Sequence, residues 1–87
     1  MKYQVKVRRA AQKQLDSLSG RDYQAVARII SGLGDEPWPR KVKKLAESGL
    51  WRIRVGRYRL VYAISDNERL VIVVRVASRA EDTYKGL

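Results

Sequence analysis

Residues 51–62, WRIRVGRYRLVY, hold Arg52, Arg54, Arg57 and Arg59 and no acid. A guanidinium is planar, keeps its charge in proteins and presents a fork of N–H donors matched to phosphate oxygens. Arginines on adjacent strands would make a preorganised anion clamp. Further along stand Arg75, Arg79 and Tyr84. A tyrosine near several arginines is a candidate acid or base, because neighbouring positive charge favours the phenolate. A tail aromatic that merely packs is the plainer reading of Tyr84. Lys41, Lys43 and Lys44 form a further cluster, either a solvated loop or a site of sequence-independent attraction to a phosphate backbone.

Absent residue types narrow this chemistry. The 87 residues include no histidine and no cysteine. That removes His-pair ribonuclease and Ser-His-Asp hydrolase chemistry, disulfides and thiolate metal sites. The acids form no DxD motif or spaced carboxylate trio, and neither a P-loop nor GxGxxG occurs, so no metal or other cofactor is expected. An enzyme made from this set would work with Arg, Lys, Tyr and the acids Glu47, Glu81 or Asp82. Such a set suits RNA cleavage, in which the ribose 2′-OH is the nucleophile and cations stabilise the charged phosphorane.

Charge points to the same class of partner. Nineteen Lys and Arg against nine Asp and Glu give +10 and a pI near 10.4. From Arg40 to Arg59 there are eight bases and one acid, Glu47, so the remaining 67 residues hold eleven and eight. This balance suits nucleic acid, an acidic membrane surface or an acidic protein. No apolar run approaches the roughly 18–20 residues of a membrane span, and MKYQVKVRR lacks the apolar stretch of a secretory signal. A cytoplasmic protein without a membrane partner is expected.

The elements that position these residues can be read from periodicity. Tyr3, Val5 and Val7 alternate with charged or polar neighbours, the pattern of a half-buried strand. Ala11, Leu15 and Leu18 share one helical face, and Tyr23, Val26, Ile30 and Leu33 another. Ser19 and Asp22 have capping-box spacing, and Gly34 is placed to cap the second helix. DEPWPRKVKKLAESG reads as a loop, in which Trp38 either stacks on a base or, as expected, packs over the helices. Residues 69–78 form the strand richest in Val and Ile, with Arg75, Ala77 and Arg79 on one parity and Ile72, Val74 and Val76 on the other. The expected architecture is α+β, in the order β-α-α-β-β-β. A helical hairpin would cover one face of a mainly antiparallel four-stranded sheet, in one domain over residues 1–87.

A two-residue Gly56-Arg57 turn fixes the register of the arginine hairpin. Val55 then pairs with Tyr58, Arg54 with Arg59, Ile53 with Leu60, Arg52 with Val61 and Trp51 with Tyr62. Trp51, Ile53, Val55, Tyr58, Leu60 and Tyr62 fall on the face that helices would cover. Arg52, Arg54 and Arg59 fall on the other. A sheet showing charge to water is the plain alternative, but solubility surfaces mix signs and this face does not.

GLWRIRVGRYRLVYAI followed by VIVVRVASRAEDTY resembles the RelE branch of the RelE/ParE toxin superfamily, and the resemblance extends over nearly the whole chain. It implies a RelE-like fold and the toxin of a type II toxin–antitoxin pair, a metal-independent endoribonuclease that cleaves mRNA in the ribosomal A site. Products would carry a 2′,3′-cyclic phosphate and a 5′-hydroxyl. It also implies that Arg59 contacts the scissile phosphate, with Arg54 beside it, and that Arg79 stabilises the transition state or leaving group. Tyr84 would orient or activate the 2′-OH. Lys41, Lys43, Lys44 and Arg52 would bind RNA. The implied partners are a cognate acidic antitoxin, the ribosome through its 16S rRNA, and mRNA. Two alternatives stay open: a ParE-like inhibitor of DNA gyrase, and a non-catalytic basic RNA-binding domain.

Overall fold

Alternating burial along QVKV forms β1 (Gln4–Val7), and two amphipathic segments form α1 (Arg9–Asp16) and α2 (Gly20–Gly32). Four strands follow: β2 (Lys43–Leu45), β3 (Leu50–Val55), β4 (Tyr58–Ser65) and β5 (Leu70–Ser78). The structure, a computed structural model, describes residues 2–45 and 49–78. The strands make one five-stranded sheet in the order β1-β5-β4-β3-β2, parallel between β1 and β5 and antiparallel elsewhere. The helical hairpin carries the chain from one edge of the sheet to the other.

The α+β class therefore holds, with one more strand than the four expected. β2 lies within the stretch read as a loop. Its three residues are too short to show alternation, and it exists because its backbone pairs with β3.

Ala11 and Leu15 from α1, and Val26, Ile30 and Leu33 from the second helix and its end, pack on Ile53, Leu60, Tyr62, Val71, Val73 and Val76. Tyr23, one turn before Val26, is instead 39% exposed. Ser19 is the N-cap of α2 but makes no capping bond to the backbone; its hydroxyl pairs with the Asp22 carboxylate at 3.4 Å. That carboxylate also accepts from the Tyr58 hydroxyl, 3.3 Å away on β4, which draws it off the helix end. Leu33, in a right-handed conformation, is the C-cap. Gly34 is glycine because β1 comes so near: its carbonyl accepts from the Tyr3 amide at 2.7 Å, and a Cβ would lie 3.0 Å from the Tyr3 carbonyl oxygen.

A bulge changes the parity of β5. Val61 pairs with Arg75 and Tyr62 with Val73, leaving Val74 as the extra residue. Val71, Val73 and Val76 consequently enter the core, in place of the unbroken set Ile72, Val74 and Val76. The Val76 amide donates to Gln14 Oε1 at 2.8 Å, which ties α1 to the strand just beyond the bulge.

Candidate nucleic-acid interface

The expected register of the arginine hairpin is present pair for pair, from Val55–Tyr58 to Trp51–Tyr62. Gly56 has φ 60° and Arg57 does not adopt positive φ, the pattern of a II′ turn that needs glycine first. Odd positions of β3 and even positions of β4 meet the helices. Ile53, Leu60 and Tyr62 are buried there, with Trp51, Val55 and Tyr58 packed around them.

The opposite face is built in cross-strand rows. Lys43, Arg52, Val61 and Arg75 form one row across β2, β3, β4 and β5, and Arg54, Arg59 and Ala77 form the next. Directly paired side chains start about 5 Å apart, so the cations of adjacent strands stand side by side. Arg54 is exposed, whereas Arg52, Arg59 and Arg75 are half-buried. Val61 and Ala77 between them are buried, and Arg59 Nε is itself shielded from solvent. The charges thus rise from a dry floor, where their fields are less screened than in open water. Farther from the turn, Leu45, Leu50, Ala63 and Ile72 complete this face in a half-buried apolar row.

No acid offsets the cationic rows from within the strands. The acids among the described residues are Asp16 and Asp22 on the helices, Asp35 and Glu36 after α2, and Asp66 and Glu68 in the β4–β5 turn. Among the described residues no cluster of three carboxylates forms that could hold a metal, and no helix is long and apolar enough to cross a membrane.

The phenols Tyr3, Tyr58 and Tyr62 are all held protonated. Tyr3 donates a short 2.5 Å hydrogen bond to Asp66, the main cause of its raised pKa. Burial, then the Asp22 carboxylate, raises Tyr58. Burial, then Glu36, raises Tyr62 strongly, and its hydroxyl donates to the Pro37 carbonyl at 2.9 Å. None of these rings is suited to act as a base near neutral pH.

The structure brings Lys43, Arg52, Arg54 and Arg59 onto one face and adds Arg75. It separates Lys44 from them. Lys44 pairs with Trp51 and points its Nζ over that ring at 5.9 Å, on the helix side of the sheet. β-Strand alternation, invisible while this stretch is read as a loop, divides the lysine cluster. Lys41 is exposed just before β2. Arg79 and Tyr84 lie outside the described residues. Trp38, expected to pack over the helices, sits edge-to-face with Tyr3 and Trp51 at 6.1 and 6.4 Å.

Residues 5–83 match the family described as the ParE toxin of the type II toxin–antitoxin system, parDE. Among solved structures, the chain is similar to one from the toxin–antitoxin complex RelBE2 of Mycobacterium tuberculosis. The two are 34% identical, over 91% of this chain and 100% of that one, with a TM-score of 0.81. It is also similar to a chain of the archaeal RelE-RelB complex from Pyrococcus horikoshii OT3, at 30% identity over 93% and 99% of the two chains and a TM-score of 0.83. A chain of the intact E. coli RelBE complex, 20% identical over 87% and 95% of the two chains, shares the fold with a TM-score of 0.76. A comparison with curated proteins gives no match.

Proposed function

The chain belongs to the RelE/ParE superfamily of toxins from type II toxin–antitoxin systems, and we propose that it is a metal-independent endoribonuclease that cleaves mRNA in the ribosomal A site. The observation carrying this reading is the guanidinium face on β3, β4 and β5, strands whose own residues include no acid. A phosphodiester in that face would be gripped by Arg54 and Arg59 through charge-assisted hydrogen bonds. Attack of the ribose 2′-oxygen on phosphorus breaks the P–O5′ bond and leaves a 2′,3′-cyclic phosphate and a 5′-hydroxyl. Arg59 stabilises the charge that grows on the non-bridging oxygens, and Arg79 the charge on the departing O5′. Tyr84 helps to activate the 2′-OH.

Dependence on the ribosome is what the resemblance to the RelE branch implies, and the chemistry of this residue set supports it. Arginine does not exchange its proton, and the set has no group ordinarily poised near neutral pH. Rate then has to come from charge stabilisation and from substrate held in line, and an A site can supply the second. The matched complexes support a cognate antitoxin as partner, with an acidic segment that neutralises this face.

The match to the ParE toxin family favours a second reading, a ParE-like inhibitor of DNA gyrase. Induced expression followed by mapping of mRNA 5′ ends separates the two. Cuts inside translated codons are expected, and intact mRNA beside broken or relaxed DNA would select the gyrase reading. Tyr84→Phe, which keeps the ring and removes the hydroxyl, is expected to slow single-turnover cleavage. An unchanged rate returns Tyr84 to a packing role.

A further inference from the structure

Edge strand β2 joins two unlike surfaces, since Lys43 faces Arg52 while Lys44 faces Trp51. On the second surface Tyr3, Trp38 and Trp51 form a continuous array, with each contact near perpendicular at 86° and 80°. Trp38 is firmly held. Pro37 and Pro39 fix the backbone on either side, the Tyr62 hydroxyl grips the Pro37 carbonyl, and the Trp38 amide donates to Glu36 Oε1 at 3.2 Å. Yet the indole remains 39% exposed. A rigid, exposed indole loses little conformational entropy when it binds something flat.

Its surroundings indicate the charge of that partner. Arg40, Lys41 and Lys44 are exposed along the following segment. Three acids lie near the array and each has a partner: Asp35 faces Lys2 at 3.9 Å, Glu36 accepts from the Trp38 backbone amide, and Asp66 accepts from the Tyr3 hydroxyl. An aromatic ring beside cations is the arrangement that binds single-stranded nucleic acid, by stacking a base and attracting its backbone.

We propose that Trp38, with Lys44 over the adjoining Trp51 and Lys41 exposed in the segment between, is a stacking platform for an unpaired RNA base, reached by a strand that crosses the β2 edge from the arginine face. The choice of RNA rests on the nuclease reading above. Lys43 and Lys44, on opposite sides of one short strand, would then serve one polyanion as it passes from one surface to the other.

The test uses the intact protein and a 2′-O-methyl RNA oligonucleotide of about twelve nucleotides, long enough for a site of this kind and without the 2′-OH that cleavage needs. Binding is expected to quench tryptophan fluorescence, and Trp38→Phe, which leaves Trp51 in place, is expected to remove most of that quenching. Trp38→Ala should weaken binding about tenfold at unchanged salt dependence. Lys44→Ala should reduce the slope of log affinity against log salt by about 0.7. Circular dichroism checks folding, and if Trp38→Ala does not fold, the Trp38→Phe quenching result decides. Equal quenching with Trp38→Phe, or Trp38→Ala affinity within about twofold of wild type, would overturn the platform. So would quenching of Trp38 by an acidic peptide alone, since the surface would then be a protein-docking site. Because no cleavage is involved, loss of the platform leaves the nuclease reading standing, and binding without mRNA cleavage in cells overturns the nuclease reading alone.

Discussion

Leu60 and Arg59 are neighbours on β4, yet they belong to regions under opposite demands. Leu60 is fully buried under the helices, among Ile53, Tyr62, Val73 and Val76. Arg59 is turned the other way, beside Arg54 and Ala77 on a face to which the strands contribute cations and no acid. Leu60 has a role that the fold requires. Arg59 instead pairs with Arg54, and like charges paired across a hairpin are destabilising. The stable side of the sheet can therefore hold the unfavourable side rigid, and a rigid charge cluster stabilises a transition state without reorganising.

Substitutions on each face sharpen that contrast. Leu60→Ala removes a buried side chain and leaves a cavity, so it is expected to cost about 2–5 kcal/mol in denaturant unfolding. Growth arrest should weaken only through loss of folded protein. Arg59→Ala should do the reverse, lowering cleavage by about a hundredfold or more while the unfolding midpoint stays near wild type. Comparable loss of stability in both would erase the distinction between the faces. Arg54→Ala, at a more exposed position, should cost roughly tenfold in single-turnover rate, the scale of one charge-assisted contact.

The smallest effect belongs to the core side and is read by pH. Tyr62, Tyr58 and Tyr3 all have pKa values above the ordinary phenol value near 10. The native state thus holds these protons more tightly than the unfolded chain does. The contribution is complete below about pH 10 and fades as pH rises through the raised values. Tyr62→Phe should cost about 1 kcal/mol at neutral pH, by leaving the Pro37 carbonyl unsatisfied, and should flatten the decline of stability in alkali. An alkaline limb of unchanged steepness would remove Tyr62 as its cause.

The hairpin was legible in the sequence because a two-residue turn with glycine first leaves one register, and register assigns every side chain to a face. The helical hairpin was legible for a similar reason, since apolar residues recur at helical spacing. Where the signal was weak, the structure corrected the reading. In VIVVRV every position but one is β-branched and apolar, so alternation carries no mark of a bulge, and the core positions of β5 shifted. β2 is set by pairing rather than by its own pattern, and this divided Lys43 from Lys44. Gly34 looked like a cap and is a point of close approach to β1, a contact between residues far apart in sequence. Arg52, Arg54 and Arg59 were found on the face expected for them, and that face gained Arg75 as a neighbour.

The central claim is that this face cleaves RNA, and the most direct measurement adds purified protein to ribosomes carrying a defined message with a codon in the A site. Product ends are then mapped for wild type and Arg59→Ala. A cut within that codon is expected, leaving a 2′,3′-cyclic phosphate and a 5′-hydroxyl and slowed about a hundredfold or more in the variant. An uncut message with wild-type protein, or equal cleavage by Arg59→Ala, would contradict it.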